Sequence, residues 1–136
     1  MANHKIEDLE GVGDVLGKKL RAAGIKDTES LLAACATAKQ RTDLAAKGDV
    51  SPKRLLKWAN MADLYRISGI GSEYAELLEE ARVDTVPELA QRNAANLTTA
   101  LAAANERKKL TRRVPTEADV TKWIDQAKKL PRVLQY

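Results

Sequence analysis

Two short glycine segments are the part of this chain best suited to bind an anion. The sequence reads Leu-Glu-Gly-Val-Gly at residues 9–13 and Ile-Ser-Gly-Ile-Gly at residues 67–71. Glycines on both sides of one aliphatic residue allow a tight turn and a close approach of the backbone to a partner. The residues after each segment predict a helix, whose first amide N–H groups have no acceptor within the helix. Such a turn presents those groups to an anion such as phosphate, which the helix dipole also attracts.

The same glycines have a purely structural interpretation. In that interpretation Val12 and Ile70 are core residues, and the turns between the glycines bind nothing. A dinucleotide-binding loop is excluded, because a strand must precede such a loop and Glu-Asp-Leu-Glu at residues 7–10 is not a buried strand. Tight-turn packing and phosphate binding both remain open.

The glycine segments belong to a longer internal repeat, in which the second copy follows the first at an offset of 58 residues. Further on, residues 51–58 resemble residues 116–123 at an offset of 65, so the second copy holds a seven-residue insertion. We place this insertion near residues 107–115. Trp58 and Trp123 end the two matching segments, and each is expected to fill the gap between the long helix of its copy and the hairpin helices, in preference to stacking on a ligand.

Composition and periodicity predict an all-α fold without a β-sheet. Apolar residues make up 44% of the chain, Phe is absent, and no stretch alternates apolar and polar residues for long enough to form a strand. Two copies that bury each other's open faces predict one compact, pseudo-symmetric domain over residues 1–136. The first repeat then covers residues 4–64 and the second covers residues 65–132.

Helical periodicity and capping residues place four helices in each copy. The expected helices cover residues 14–23, 28–36, 39–47, 51–65, 72–81, 85–92, 94–109 and 116–130. Thr28 and Ser51 are the expected N-caps of the second and fourth helices. Thr85 and Glu88 form the expected capping box of the sixth helix. The fourth helix is expected to run directly into the second glycine segment.

The glycine segment followed by an amphipathic helix that ends in Ala-Gly-Ile or Ala-Arg-Val resembles the helix-hairpin-helix motif. The first copy of this pattern covers residues 6–25 and the second covers residues 64–83. With the two Lys-Trp helices included, nearly the whole chain is similar to a family of small bacterial tandem helix-hairpin-helix proteins known only as a domain of unknown function. In the helix-hairpin-helix class at large, the turn and the first amides of the next helix bind DNA phosphates without reading bases.

The resemblance implies sequence-independent binding to duplex or structured nucleic acid. The positions it assigns to phosphate contact are Gly11, Gly13 and Asp14 in the first copy and Gly69, Gly71 and Ser72 in the second. DNA-binding members usually have Lys, Arg or Thr after the second glycine, whereas this chain has Asp14-Val15 and Ser72-Glu73. In the alternative interpretation, Asp14 and Glu73 cap their own helices and leave no anion site.

A cluster of basic residues in the insertion is the second candidate for phosphate contact. Its members are Arg107, Lys108, Lys109, Arg112 and Arg113. Lys18 and Lys19, after the first glycine segment, extend the basic surface. The alternative is that these charges only keep an alanine-rich protein in solution.

Other features narrow the functional classes. The net charge of +4 permits nucleic acid without requiring it. Cys35 is the only cysteine and is expected to be a core residue, which fits a reducing compartment.

The only histidine is His4, no cluster has metal-ligand spacing, and no nucleophile context is recognisable, so we expect no enzyme, metal or cofactor. Residues 1–5 lack the apolar core of a signal peptide and no apolar run reaches membrane-spanning length, which predicts a cytoplasmic protein.

Two functions remain open. The leading hypothesis is a non-catalytic module that binds nucleic acid weakly, without sequence preference. The rival is a protein-protein adaptor that uses the same fold, with the acidic helix starts and the basic insertion as complementary surfaces. No small-molecule substrate is indicated by either hypothesis.

Overall fold

The computed structural model describes residues 3–9 and 11–135. Glu10 of the first glycine segment and the first two residues of the N-terminal segment lie outside these described residues, as does the last residue. Within the described part, the chain forms a short 3-10 helix at Ile6–Asp8 and the helices α1 Gly13–Ala22, α2 Thr28–Ala34, α3 Ala38–Gly48, α4 Pro52–Leu64, α5 Ser72–Glu80, α6 Val86–Ala90, α7 Ala94–Lys108 and α8 Glu117–Lys129. The predicted all-α fold without a sheet is confirmed for these residues, whose only bridge joins Lys5 and Asp27.

The eight helices predicted from the sequence are all present, and their ends agree with the prediction to within two residues. One connection differs from the expectation. Helix α4 ends at Leu64, and a turn separates it from Gly69. The amide of Arg66 donates to the Asp63 carbonyl at 3.2 Å and the amide of Ile67 donates to the Leu64 carbonyl at 3.1 Å. The second glycine segment therefore follows a turn and does not continue α4.

The start of α2 corrects one sequence-based prediction. The N-cap is Asp27, whose carboxylate accepts a hydrogen bond from the Ser30 amide at 2.8 Å, while the Ser30 hydroxyl accepts from the Asp27 amide at 3.1 Å. Thr28, predicted as the cap, is instead the first helical residue. Its buried hydroxyl accepts from the His4 amide at 3.0 Å. The prediction was wrong by one residue because both neighbours carry an oxygen that suits a cap.

Two other predicted caps are found where the sequence places them. The Ser51 hydroxyl accepts from the Arg54 amide at 3.4 Å at the start of α4. Thr85 is the N-cap of α6, but the predicted capping box was wrong, since the Thr85 side chain makes no cap hydrogen bond and Glu88 does not accept from the Thr85 amide. The Glu88 carboxylate accepts from the Thr85 hydroxyl at 3.2 Å and from the Asp84 amide at 3.4 Å.

Helix α4 is central to the packing. It contacts α2, α3 and α5, while α8 contacts α6 and α7. The buried face of α4 includes Leu55, Trp58 and Met61, which join one apolar cluster that extends to Leu101 and Ile124. Because α4 and α8 each carry a tryptophan on the buried face, the core fixes the position of both indole rings.

A buried ion pair links α4 to α6. The Asp63 carboxylate accepts from Arg66 Nε at 3.0 Å and from the Val86 amide at 2.7 Å, and both charged side chains are buried. Arg66 Nη1 also donates to the Pro131 carbonyl at 2.9 Å. Burial raises the pKa of the Asp63 carboxyl, while the Val86 amide and the Arg66 charge act in the opposite direction.

Cys35 is a core residue, as predicted. It is fully buried, and burial raises the pKa of its thiol to about 11. Its carbonyl accepts from Arg41 Nη1 at 2.8 Å, and Arg41 Nη2 donates to the Gln135 carbonyl at 2.8 Å. This arginine therefore holds the C-terminal segment against the connection between α2 and α3.

Candidate nucleic-acid interface

The first glycine turn, which we define as Gly11, Val12 and Gly13, exposes both glycines and buries the residue between them. Val12 is 3% exposed, and its amide donates to the Leu9 carbonyl at 3.2 Å. Gly11 and Gly13 have φ angles of 87° and 62°, in the left-handed region that side chains disfavour. The expected burial of Val12 in the core is therefore confirmed, while the backbone beside it is open to solvent.

The second glycine turn, defined as Gly69, Ile70 and Gly71, has the same exposed start and buried centre. Ile70 is 2% exposed, and its amide donates to the Ile67 carbonyl at 3.2 Å. Gly69 is exposed with a φ of 98°. Gly71 is half-buried with a φ of −105°, a conformation that other residues also adopt. The two turns therefore differ at their second glycine.

An indole ring lies against each turn. A Cβ atom on Gly11 would lie 3.7 Å from Trp58 Nε1, and one on Gly69 would lie 3.1 Å from Trp123 Nε1. Both tryptophans are buried, with 2% and 5% of their surface exposed. Their burial is as expected of gap-filling residues, and the contact of each ring with a glycine turn is a finding that the sequence did not predict. The core thus supports the backbone of both turns directly.

Arg54 of α4 lies beside the first glycine turn, although the sequence did not identify it as a site residue. Its guanidinium carbon lies 4.9 Å from the centre of the Trp58 ring, and its Nη2 is 3.5 Å from the Gly11 carbonyl oxygen. The signal was present, because Arg54 precedes Trp58 by four residues on one helix and so shares its face. Stacking on an indole holds a cation in place without neutralising it.

The start of α5 leaves amide groups open. Its N-cap, Gly71, provides no side-chain cap. Among the described residues, no acceptor is bonded to the amides of Gly71, Ser72 or Glu73. The described structure also shows no hydrogen bond that the carboxylate of Asp14 or Glu73 accepts from an amide at the start of its own helix. The interpretation in which these two carboxylates cap their helices is therefore wrong.

The predicted basic cluster lies at the end of α7 and in the segment that follows it. Arg107 and Lys108 are in the last turn of α7, and Lys109 ends the helix with a φ of 51°. Arg112 and Arg113 lie beyond it, and all five side chains are exposed.

Arg113 is the member of this cluster that the structure ties to the second glycine turn. Its carbonyl accepts from the Tyr74 hydroxyl at 3.3 Å, and the Tyr74 ring is 5.2 Å from the Trp123 ring. Its guanidinium forms an ion pair with Asp119 at 2.7 Å. The backbone of Arg113 therefore contacts α5, while its charge is already matched by a carboxylate.

The surroundings of three other predicted site residues, Lys18, Lys19 and Lys108, differ from those of Arg113. Lys18 and Lys19 are exposed on α1, and Lys19 forms an ion pair with Asp49 at 3.3 Å. Lys108 lines a surface groove with acidic side chains of α5, which include Glu79 and Glu80. The end of α7 is therefore directed to the acidic side of α5 and not to its open amides.

Within the part of the chain that the structure describes, no group of three or more His, Cys, Asp and Glu residues is arranged to hold a metal ion. Of the described helices, none combines the length and the apolar composition that crossing a membrane requires.

Comparison with known proteins gives one match. No curated protein and no solved structure shows significant similarity to the chain. The model of one protein family, described as a domain of unknown function (DUF4332), matches residues 10–130. Since the match extends over most of the 136 residues, the chain belongs to this family.

Proposed function

We propose that this protein is a non-catalytic tandem helix-hairpin-helix module that binds duplex or structured nucleic acid. In this proposal the two glycine turns are the hairpins of two pseudo-symmetric repeats, and binding is weak and independent of sequence. The module acts in the bacterial cytoplasm without a cofactor. Its contacts are made to backbone phosphates and not to base edges.

The observation that carries the proposal is the open backbone at the start of α5. The amides of Gly71, Ser72 and Glu73 have no acceptor in the described chain, and the exposed Gly69 leaves the approach to them clear. Amide groups at a helix start attract an anion through their own dipoles and through the helix dipole. The chain has two glycine turns of this kind, and nucleic acid offers a series of backbone phosphates that two such turns could bind together.

Positively charged residues near the first turn and near α5 also support binding to nucleic acid. Arg54 lies beside Gly11, and Arg113 lies beside Tyr74 of α5. Asp14 and Glu73 oppose phosphate at the helix starts, which explains why the expected affinity is low. No helix offers the grouped Arg, Asn and Gln side chains that base edges require, so sequence readout is not expected.

The test is the salt dependence of binding to a fluorescently labelled random-sequence DNA duplex. We expect a measurable association at about 50 mM salt and a fall in affinity as salt rises, with a slope that corresponds to roughly two to four neutralised phosphates. The double substitution D14K/E73K should strengthen binding, because it replaces two repelling charges at the helix starts. Absence of binding at low salt, or an affinity that does not change with salt, would overturn the proposal.

The acidic side of α5 favours a second candidate, a protein-protein adaptor. Glu79 and Glu80 line one surface groove with Lys57 and Lys108, and Glu79 and Asp84 line another with Lys53, Arg54 and Lys57. Grooves of such mixed charge suit a protein partner with complementary charges. Under this alternative D14K/E73K weakens a protein complex and leaves DNA binding absent, so the same variant separates the two functions.

A further inference from the structure

The helix that packs its tryptophan against each glycine turn, α4 for the first and α8 for the second, carries a different charge at the equivalent position. On α4, the residue four positions before Trp58 is Arg54, whose guanidinium is 4.9 Å from the indole centre. On α8, the residue four positions before Trp123 is Asp119. The same helical position therefore carries a positive charge at the first turn and a negative charge at the second.

Arg54 is available to an anion at the first turn. It is exposed, and its described contacts are the Trp58 ring and the Gly11 carbonyl oxygen, which is 3.5 Å from Nη2. Neither partner carries a negative charge. The guanidinium is thus held at the turn with its full charge and with donors left over for a phosphate.

Asp119 has the opposite effect at the second turn. Its carboxylate accepts from Arg113 Nη2 at 2.7 Å and from the Thr116 amide at 3.1 Å. The hydrogen bond from the Thr116 amide is the main cause that lowers the pKa of Asp119, with Arg113 adding to it, so the carboxylate stays ionised. Arg113, whose backbone carbonyl contacts Tyr74 of α5, is therefore paired with a carboxylate.

We propose that the two turns bind phosphate unequally, with Arg54 making the main charged contact at the first turn and Asp119 holding Arg113 back at the second. This inference rests on the proposed nucleic-acid function. It assigns opposite effects on affinity to the exposed Arg54 and the half-buried Asp119, which occupy the same helical position. The protein then binds the phosphates at the first turn more tightly than those at the second.

The experiment measures binding of a labelled random-sequence DNA duplex by the full chain and by single variants. R54A should weaken binding about 5- to 10-fold at about 50 mM salt and reduce the salt slope by about one phosphate. R54K, which keeps the charge, should recover part of that loss. D119N keeps an oxygen for the Thr116 amide but releases Arg113, so it should strengthen binding roughly 3- to 10-fold and steepen the salt slope.

K39A provides the matched control, because Lys39 is an exposed cation on α3 with no described contact to either turn. We expect it to change the affinity less than two-fold. The variant R113A/D119N should lose the gain of D119N, since no arginine remains to be released. The thermal midpoint of each variant verifies that it is folded.

The outcomes separate this inference from the function on which it rests. If the unmodified chain does not bind DNA, both are overturned. If it binds with the expected salt dependence but R54A behaves like K39A, or D119N fails to strengthen binding, the unequal turns are overturned while the proposed function stands.

Discussion

The indole of Trp123 lies so close to Gly69 that a Cβ atom at position 69 would fit only if the indole moved by a few tenths of an ångström. A Cβ atom there would be 3.1 Å from Trp123 Nε1, and the indole is 95% buried, so it has little freedom to withdraw. Gly69 also has a φ of 98°, which residues with a side chain rarely adopt. Two independent constraints, one steric and one conformational, therefore require glycine at this turn.

We predict that G69A lowers the free energy of unfolding by about 2 kcal/mol, measured by urea denaturation. The left-handed backbone alone costs roughly 1–2 kcal/mol for a residue with a Cβ atom, and displacement of the indole adds to it. The same substitution at Gly11 should be milder, since the corresponding distance to Trp58 is 3.7 Å.

Gly71 provides the control within the same turn. Its φ is −105°, and no heavy atom lies within 4 Å of an added Cβ atom. The change in G71A should stay within about 0.5 kcal/mol, because reduced freedom of the unfolded chain offsets the weaker N-cap. Equal losses in the two variants would contradict this account of the turn.

Local signals explain how much of the fold could be predicted from the sequence. Helix positions follow from periodicity and from capping residues such as Ser51, which act within a few residues of the chain. The burial of Val12 and Ile70 follows from their place between glycines. The cap of α2 was placed on the wrong neighbour because Asp27 and Thr28 are both good caps, and only the tertiary structure shows which side chain is turned inward.

The candidate site was predicted less completely, because its charges depend on contacts between distant segments. The open turns and the basic cluster were located from residue types alone. That Lys19 pairs with Asp49 and that Arg54 reaches Gly11 depends on how separate helices pack. No local pattern contains that information. The same is true of Asp63, since a carboxylate in a helix is normally expected at the surface.

Asp63 offers the second prediction. D63A removes the acceptor for the Arg66 guanidinium and for the Val86 amide, which leaves a buried cation and a buried donor without their partner. Breaking a buried pair in this way costs about 3–5 kcal/mol. Urea denaturation should show this loss as a large decrease in the midpoint concentration.

A comparison with an exposed pair tests whether burial is the cause. E7Q removes the charge that pairs with Arg21, and both of these side chains are partly open to solvent. Its midpoint should decrease much less than that of D63A. Similar midpoints for D63A and the unmodified protein would show that the ion pair contributes little to linking α4 and α6.

Glu7 and Arg21 link the 3-10 helix to α1 through two hydrogen bonds. Arg21 Nε donates to one carboxylate oxygen and Nη2 donates to the other, each at 2.7 Å. The Arg21 hydrogen bond is the largest cause that lowers the pKa of Glu7 from its ordinary value of 4.5 to about 2. The pair therefore makes folding depend on pH in the acid range.

The third prediction follows from the sign of this shift. Between about pH 5 and pH 2, Glu7 takes up a proton in the unfolded chain but stays ionised in the folded protein, so lowering the pH favours unfolding. The stabilisation is complete above the unfolded pKa and is lost as the pH falls toward 2. E7Q cannot titrate, so its thermal midpoint should decrease less over this range. Asp27 and Asp63 titrate in both proteins, and the difference between the two curves therefore isolates Glu7. Parallel curves would mean that the Arg21 contact does not hold Glu7 ionised in solution.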